Sequence, residues 1–159
     1  MKFSTRQDIE APAAAVFAVL TDFTALEVAG MRRGVRLRRL DGLTEPGQGM
    51  SWDLEFRFRA RPRALIGSVV EYLPPERVVF EGVSAGYEIT LALGLLALSK
   101  ARTRLSADLL VRPRNLSARI MLQSARLART SLARRYADRV QVLAEEVAAR
   151  AMRMAAGAA

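Results

Sequence analysis

The pattern of apolar and polar positions has two periods, and the change between them falls near residue 113. Over residues 2–10, Phe3, Thr5, Gln7 and Ile9 alternate with Lys2, Ser4, Arg6, Asp8 and Glu10, the period of a strand with one semi-apolar face. Pro12 suits the first position of a helix, and Val16, Phe17, Val19 and Leu20 give that helix one apolar side. Asp22 or Thr24 can cap a second short helical turn over Ala25, Leu26 and Val28, with Gly30 as its expected end. From Gly34 the period is two. Residues 35–40, 50–59, 63–73, 77–83, 87–98 and 103–111 each read as a strand, separated by turn signals such as Asp41-Gly42, Pro46-Gly47 and Gly86. Met50, Trp52, Leu54, Phe56 and Phe58 against Ser51, Asp53, Glu55, Arg57 and Arg59 make the cleanest of them.

Beyond Pro113 the spacing is helical. Met121, Ala125, Ala128, Leu132, Tyr136, Val140, Leu143 and Val147 form one apolar stripe, uninterrupted by Gly or Pro until Gly157. Seven strands with short connections favour an antiparallel meander. The expected fold is therefore α+β: a seven-stranded antiparallel sheet, two short helices and a long C-terminal helix. Residues 1–154 read as a single domain and 155–159 as a flexible Ala/Gly tail.

Composition narrows the chemistry. The chain has 159 residues, 51% of them hydrophobic, which is enough for a real core. It has no cysteine and no histidine, so thiolate nucleophiles, Ser-His-Asp and Cys-His sets and the commonest metal ligands are all missing. Any catalysis would fall to carboxylates, Tyr, Arg or backbone groups, and no cofactor or metal is expected. The longest apolar run, Ile89 to Leu98, is too short to span a membrane, and the start has no signal-peptide core. A soluble, cytoplasmic protein that is not transmembrane is expected.

The order of elements resembles the helix-grip fold of the SRPBCC superfamily, which gathers START-like, Bet v 1-like, lipid-transport and polyketide cyclase/dehydrase-like proteins. The resemblance rests on Ile9-Glu10-Ala11-Pro12, the run Val16 to Phe23, Gly49-Met50-Ser51-Trp52, Pro74 to Phe80, and Thr103-Arg104-Leu105, and it covers nearly the whole chain. It implies a strongly curved sheet gripping the long helix, with a cavity for an apolar or amphipathic ligand between them. The function it implies is binding or carriage of a lipid, quinone or polyketide-like aromatic. A cyclase-type enzyme using the same cavity, or a module for anionic membrane or RNA, are the alternatives.

With Trp52 pointing inward, Leu54 and Phe56 share its face, and Phe80 joins them from the fifth strand. Tyr87, Ile89 and Leu91 are the inward set on the sixth strand, with the phase of Thr90, Ala92 and Gly94 also open. On the helix the candidates are Met121, Ala125, Ala128 and Leu132. The small Ala125 and Ala128 put the cavity over the helix's first half. Tyr87 and Tyr136 can offer hydroxyls to a ligand. Glu81 and Glu88 would be acid–base candidates if they faced inward, and the plainer reading has both facing water.

The net charge is +9, and all 25 basic residues except Lys2 and Lys100 are arginine. Arg32 to Arg39, Arg57 to Arg63, and Arg112, Arg114 and Arg119 form clusters that either line a positive rim for an anionic ligand, membrane surface or RNA, or make a solvated face. With aromatics at 6% and mostly at core positions, nucleic acid is the least favoured of these. The run from Ile89 to Leu98 is uncharged on both faces, and homodimerisation through it is a further expectation.

Overall fold

The alternation at the N-terminus becomes strand β1 (Lys2–Ile9), and α1 (Ala13–Leu20) starts just after Pro12 in a computed structural model that describes residues 1–158. Then come α2 (Phe23–Arg32), β2 (Arg36–Arg39), β3 (Ser51–Phe58), β4 (Arg61–Leu73), β5 (Arg77–Val83), β6 (Tyr87–Ser99) and β7 (Arg102–Pro113). The C-terminal run is α3 (Leu116–Ala125), a 3-10 turn (Arg126–Ala128) and α4 (Arg129–Ala158). Helix α4 extends through 155–158, the stretch read from sequence as a tail, and Ala159 lies outside the described residues.

The seven strands form one antiparallel sheet in the order β1-β7-β6-β5-β4-β3-β2. Because β1 and β2 lie at opposite edges, α1 and α2 must cross the sheet to connect them. Register fixes the faces. Ile9, Leu105, Ala107, Leu93, Val78, Val69 and Trp52 are buried on the helix-bearing face and build the core with Val16, Phe17, Val19 and Leu20 of α1. Bulges at Val69/Glu71 in β4 and Ala97/Ser99 in β6 let those strands bend. Glu81 pairs with Thr90, and Glu88 with Arg112, on the opposite face. Ala92, Gly94 and Leu96 also lie there, Leu96 being 59% exposed.

Two expectations for the helices need correction. Gly30 does not end α2: the helix runs on to Arg32, and Gly34 takes the left-handed conformation, φ 87°, that reverses the chain. Gly30 instead packs beside Leu37, where a Cβ would sit 3.5 Å from Leu37 Cδ2, an ordinary van der Waals distance. The C-terminal stripe, in turn, does not pack along its whole length. Val140, Ala144, Val147 and Ala151 are buried, while in the first half only Ala118 is buried, and Met121 and Ala128 are exposed. Small side chains at Ala144 and Ala151 let α4 approach α1 and β1 closely.

Tyr136 is where this packing begins. Its ring sits 5.8 Å from that of Phe3, and its hydroxyl donates to the Ala107 carbonyl at 2.7 Å. Burial, and secondarily the Asp108 charge, raise the pKa of that hydroxyl.

Candidate functional site

Asp22 is the residue that sets the site. Its carboxylate accepts the Ala25 amide at 3.2 Å, which caps α2 and turns the helix's first residue, Phe23, into the core. Burying a Phe side chain contributes roughly 1.5–3 kcal/mol. Phe23 then becomes the hub of an aromatic cluster. Its ring lies 5.7 Å from Trp52, 6.5 Å from Tyr72 and 6.2 Å from Phe80, the last nearly edge-on at 77°.

Between this cluster, the rest of α2 and the inner face of β2–β5 lies a cavity of about 310 Å³. Phe23, Leu26, Gly30, Val35, Leu37, Trp52, Leu54 and Phe80 supply its apolar walls, with Glu27, Gly67 and Ser68 completing the lining. Gly67 gives part of the space a backbone origin, while Leu65 fills the place a Gly82 side chain would take. Trp52 pairs with Gly67, Gly67 with Gly82, and Gly82 with Ile89, so two adjacent positions in one inward row carry no side chain. A Cβ on Gly67 would meet Leu54 Cδ1 at 3.4 Å, and one on Gly82 would meet Leu65 Cδ1 at 3.0 Å.

One polar network borders the cavity. The Trp52 indole N–H donates to Glu27 Oε1 at 3.1 Å, and the Arg39 guanidinium carbon lies 5.7 Å over the Trp52 ring. Arg39 approaches Glu27 to 3.9 Å and grips Asp41 with two hydrogen bonds of 2.8 and 2.5 Å. Asp41 also accepts the Ser51 and Leu43 amides. The Arg39 guanidinium, with these amides, holds the Asp41 carboxyl far below the usual carboxylate range, and the same pairing raises Arg39. The loop before β3 is thereby tied to the cavity wall.

Of the candidates named from the sequence, Trp52, Leu54 and Phe80 line this cavity. Leu91 packs on the core beside it, while Tyr87 and Ile89 are half-buried further along the same face. Phe56 borders a different concavity, about 630 Å³, at the β3–β4 hairpin with Gly34, Arg36, Glu55, Arg57, Pro62, Arg63 and Ala64. That basin draws charged side chains from both faces of the hairpin, so the smaller, apolar cavity is the better ligand site. Met121 and Ala128 are exposed, and Ala125 and Leu132 are half-buried outside the cavity lining. The cavity thus lies under α2 and away from the first half of the C-terminal helix. Tyr136, whose hydroxyl is committed to Ala107, serves packing.

Sequence reasoning missed Phe23, Glu27, Leu37 and Gly67. The glycines within β4 and β5 were the available signal, because a glycine inside a strand marks a missing side chain. Among the described residues no group of acidic side chains could hold a metal ion, and no single helix is long and apolar enough to cross a membrane.

No protein-family model matches the sequence, and no curated protein matches it. Solved structures do. The ZhuI aromatase/cyclase from Streptomyces sp. R1128 superposes with a TM-score of 0.61 at 17% identity, covering 91% of this chain and 93% of that one. Ara h 8.0201 gives a TM-score of 0.63 at 8% identity, covering 96% and 97%. A START superfamily protein from Mycobacterium smegmatis gives 0.54 at 17% identity, covering 89% and 98%. At such identities the likeness is one of fold, and the chain has the α+β helix-grip fold of the START-like and Bet v 1-like (SRPBCC) proteins.

Proposed function

We propose that this chain binds a compact apolar or amphipathic small molecule, such as a short acyl chain, quinone or polyketide-like aromatic, in the cavity beneath α2. The observation that carries the reading is the cavity itself. Its walls are aliphatic and aromatic, and Gly67 leaves one lining position without a side chain. At about 310 Å³ it lies at the small end of ligand sites, which favours a compact ligand. The shared fold of an aromatase/cyclase and a START superfamily protein supports an apolar ligand.

Carriage is favoured over conversion by the lining. Glu27 is its one ionisable side chain, and the Trp52 indole and Arg39 already engage it. A general acid or base must be free to exchange a proton with the ligand, and these two contacts already occupy the Glu27 carboxylate.

Trp52 is the only tryptophan, so its emission reports on the cavity directly. Native mass spectrometry of the purified protein, followed by organic extraction, should recover a bound apolar molecule. Titration with anilinonaphthalene sulfonate should shift Trp52 emission. Gly67→Val, which fills the cavity floor, should weaken that probe by about tenfold with far-UV circular dichroism unchanged. No extractable molecule, together with Trp52 emission unmoved by the probe, would sink the reading. Turnover of the extracted molecule by the purified protein would replace carriage with catalysis.

A further inference from the structure

The α3 segment carries apolar side chains that the fold does not use. Leu116 is 71% exposed, Ile120 53%, Met121 57% and Leu127 94%. Single exposed leucines are ordinary, but here four large aliphatic side chains fall within one short helical stretch. Leu116, Ile120 and Leu127 are spaced by four and seven, so they project from the same side, away from the buried Ala118. Ala118 faces the sheet, its Cβ 3.6 Å from where a Cβ on Gly86 would be.

The charge around this ridge has one sign. Arg112, Arg114, Arg119, Arg126, Arg129, Arg134 and Arg135 are all exposed, and no acidic residue occurs between Asp108 and Asp138. Among the described residues none of these seven arginines forms an ion pair, although six other arginines do. Unneutralised cations beside unburied aliphatic side chains suit a partner that is anionic at its surface and apolar just beneath.

We infer that the α3 segment and the 3-10 turn after it form a docking surface for an anionic lipid bilayer. Arginines engage the headgroup phosphates while Leu116, Ile120 and Leu127 enter the acyl boundary, the arrangement of an interfacial amphipathic helix. A single-stranded nucleic acid fits less well. It would use exposed aromatic rings for stacking, and residues 112–135 contain none.

The test uses the full chain and sedimentation with vesicles. The protein should bind vesicles of mixed phosphatidylcholine and phosphatidylglycerol, ignore phosphatidylcholine alone, and bind less as salt rises. The triple variant Leu116→Ser, Ile120→Ser, Leu127→Ser should lose about tenfold or more in partitioning while keeping its thermal midpoint, since these side chains are exposed. Arg119→Gln, Arg126→Gln, Arg129→Gln together should lose as much. Leu96→Ser, an exposed apolar site on the opposite sheet face, should bind as the native chain does. Three outcomes would overturn the inference. They are equal binding by the triple serine variant, equal loss on Leu96→Ser, or tight binding of oligouridine by a native chain that ignores phosphatidylglycerol vesicles.

Discussion

Val147 and Leu127 belong to one helical run, yet the first is 2% exposed and the second 94%. The halves they represent differ in how much of the buried core they build. From Tyr136 onward α4 lays Val140, Ala144, Val147 and Ala151 against α1 and β1, and its outward side mixes Gln141, Glu145 and Glu146 with Arg139 and the exposed Val142, Met152 and Met154. Before Tyr136 the run touches the sheet through little more than Ala118, and its outward side is aliphatic and cationic. A helical period requires only that apolar side chains repeat on a side. Whether that side finds a partner depends on which elements arrive opposite it. One half of this helix completes the core, and the other presents a surface.

Truncation should break the symmetry that the sequence pattern suggests. Val147→Ala removes methyl groups from a fully packed site and should cost about 2–3 kcal/mol in equilibrium denaturation. Leu127→Ala, by the same measure, should stay within about 0.5 kcal/mol. Similar losses at the two sites would mean that the first half packs as the second does, and the comparison would fail.

That comparison also marks how far the sequence alone could be followed. The seven strands were legible, most of them because a one-sided strand writes its face into alternate residues, as in Phe3, Thr5, Gln7 and Ile9, and the sixth by its turn-bounded apolar run. The inward direction of Trp52 was legible for the same reason. The location of the cavity was not. Ala125 and Ala128 suggested space by their size, but side-chain size matters only where a second surface lies opposite. Glu27 was invisible as a site residue because its partner, Trp52, lies 25 positions away in sequence and reaches it only through the approach of α2 to β3. The Gly67–Gly82 pair needs strand register to be recognised, since each glycine alone reads only as a weak point in its strand.

Tyr136 is the hinge of the comparison, where the run first grips the sheet. Tyr136→Phe removes a hydrogen bond to Ala107 and should cost about 1 kcal/mol. Its pH dependence sharpens this. The neutral hydroxyl is the form that donates, and its native pKa is raised above the ordinary tyrosine value of 10.0. The unfolded chain therefore loses this proton first. The stabilisation is complete below about pH 10 and is lost as pH climbs from there through the raised native value. Stability of the native chain should fall over that alkaline interval, and Tyr136→Phe should flatten the fall. An unchanged alkaline slope would show that some other group governs it.

The smallest expected effect lies at the far end of the gripping half. Arg150 of α4 donates to Asp22 at 3.0 Å, and among the described residues this is the only ion pair made by the C-terminal run. Both side chains are partly exposed, so solvent and salt screen the attraction. Arg150→Ala should cost about 0.2–1 kcal/mol, and less in high salt. Asp22→Ala should cost more, because the same carboxylate caps α2 through the Ala25 amide and losing a cap costs about 1 kcal/mol. If the single variants differ in this order, the pair contributes little and apolar packing holds α4 in place. If Arg150→Ala instead matched Val147→Ala, charge would be holding α4, and the five arginines of the first half without an ion pair would have to be read as lacking a protein partner.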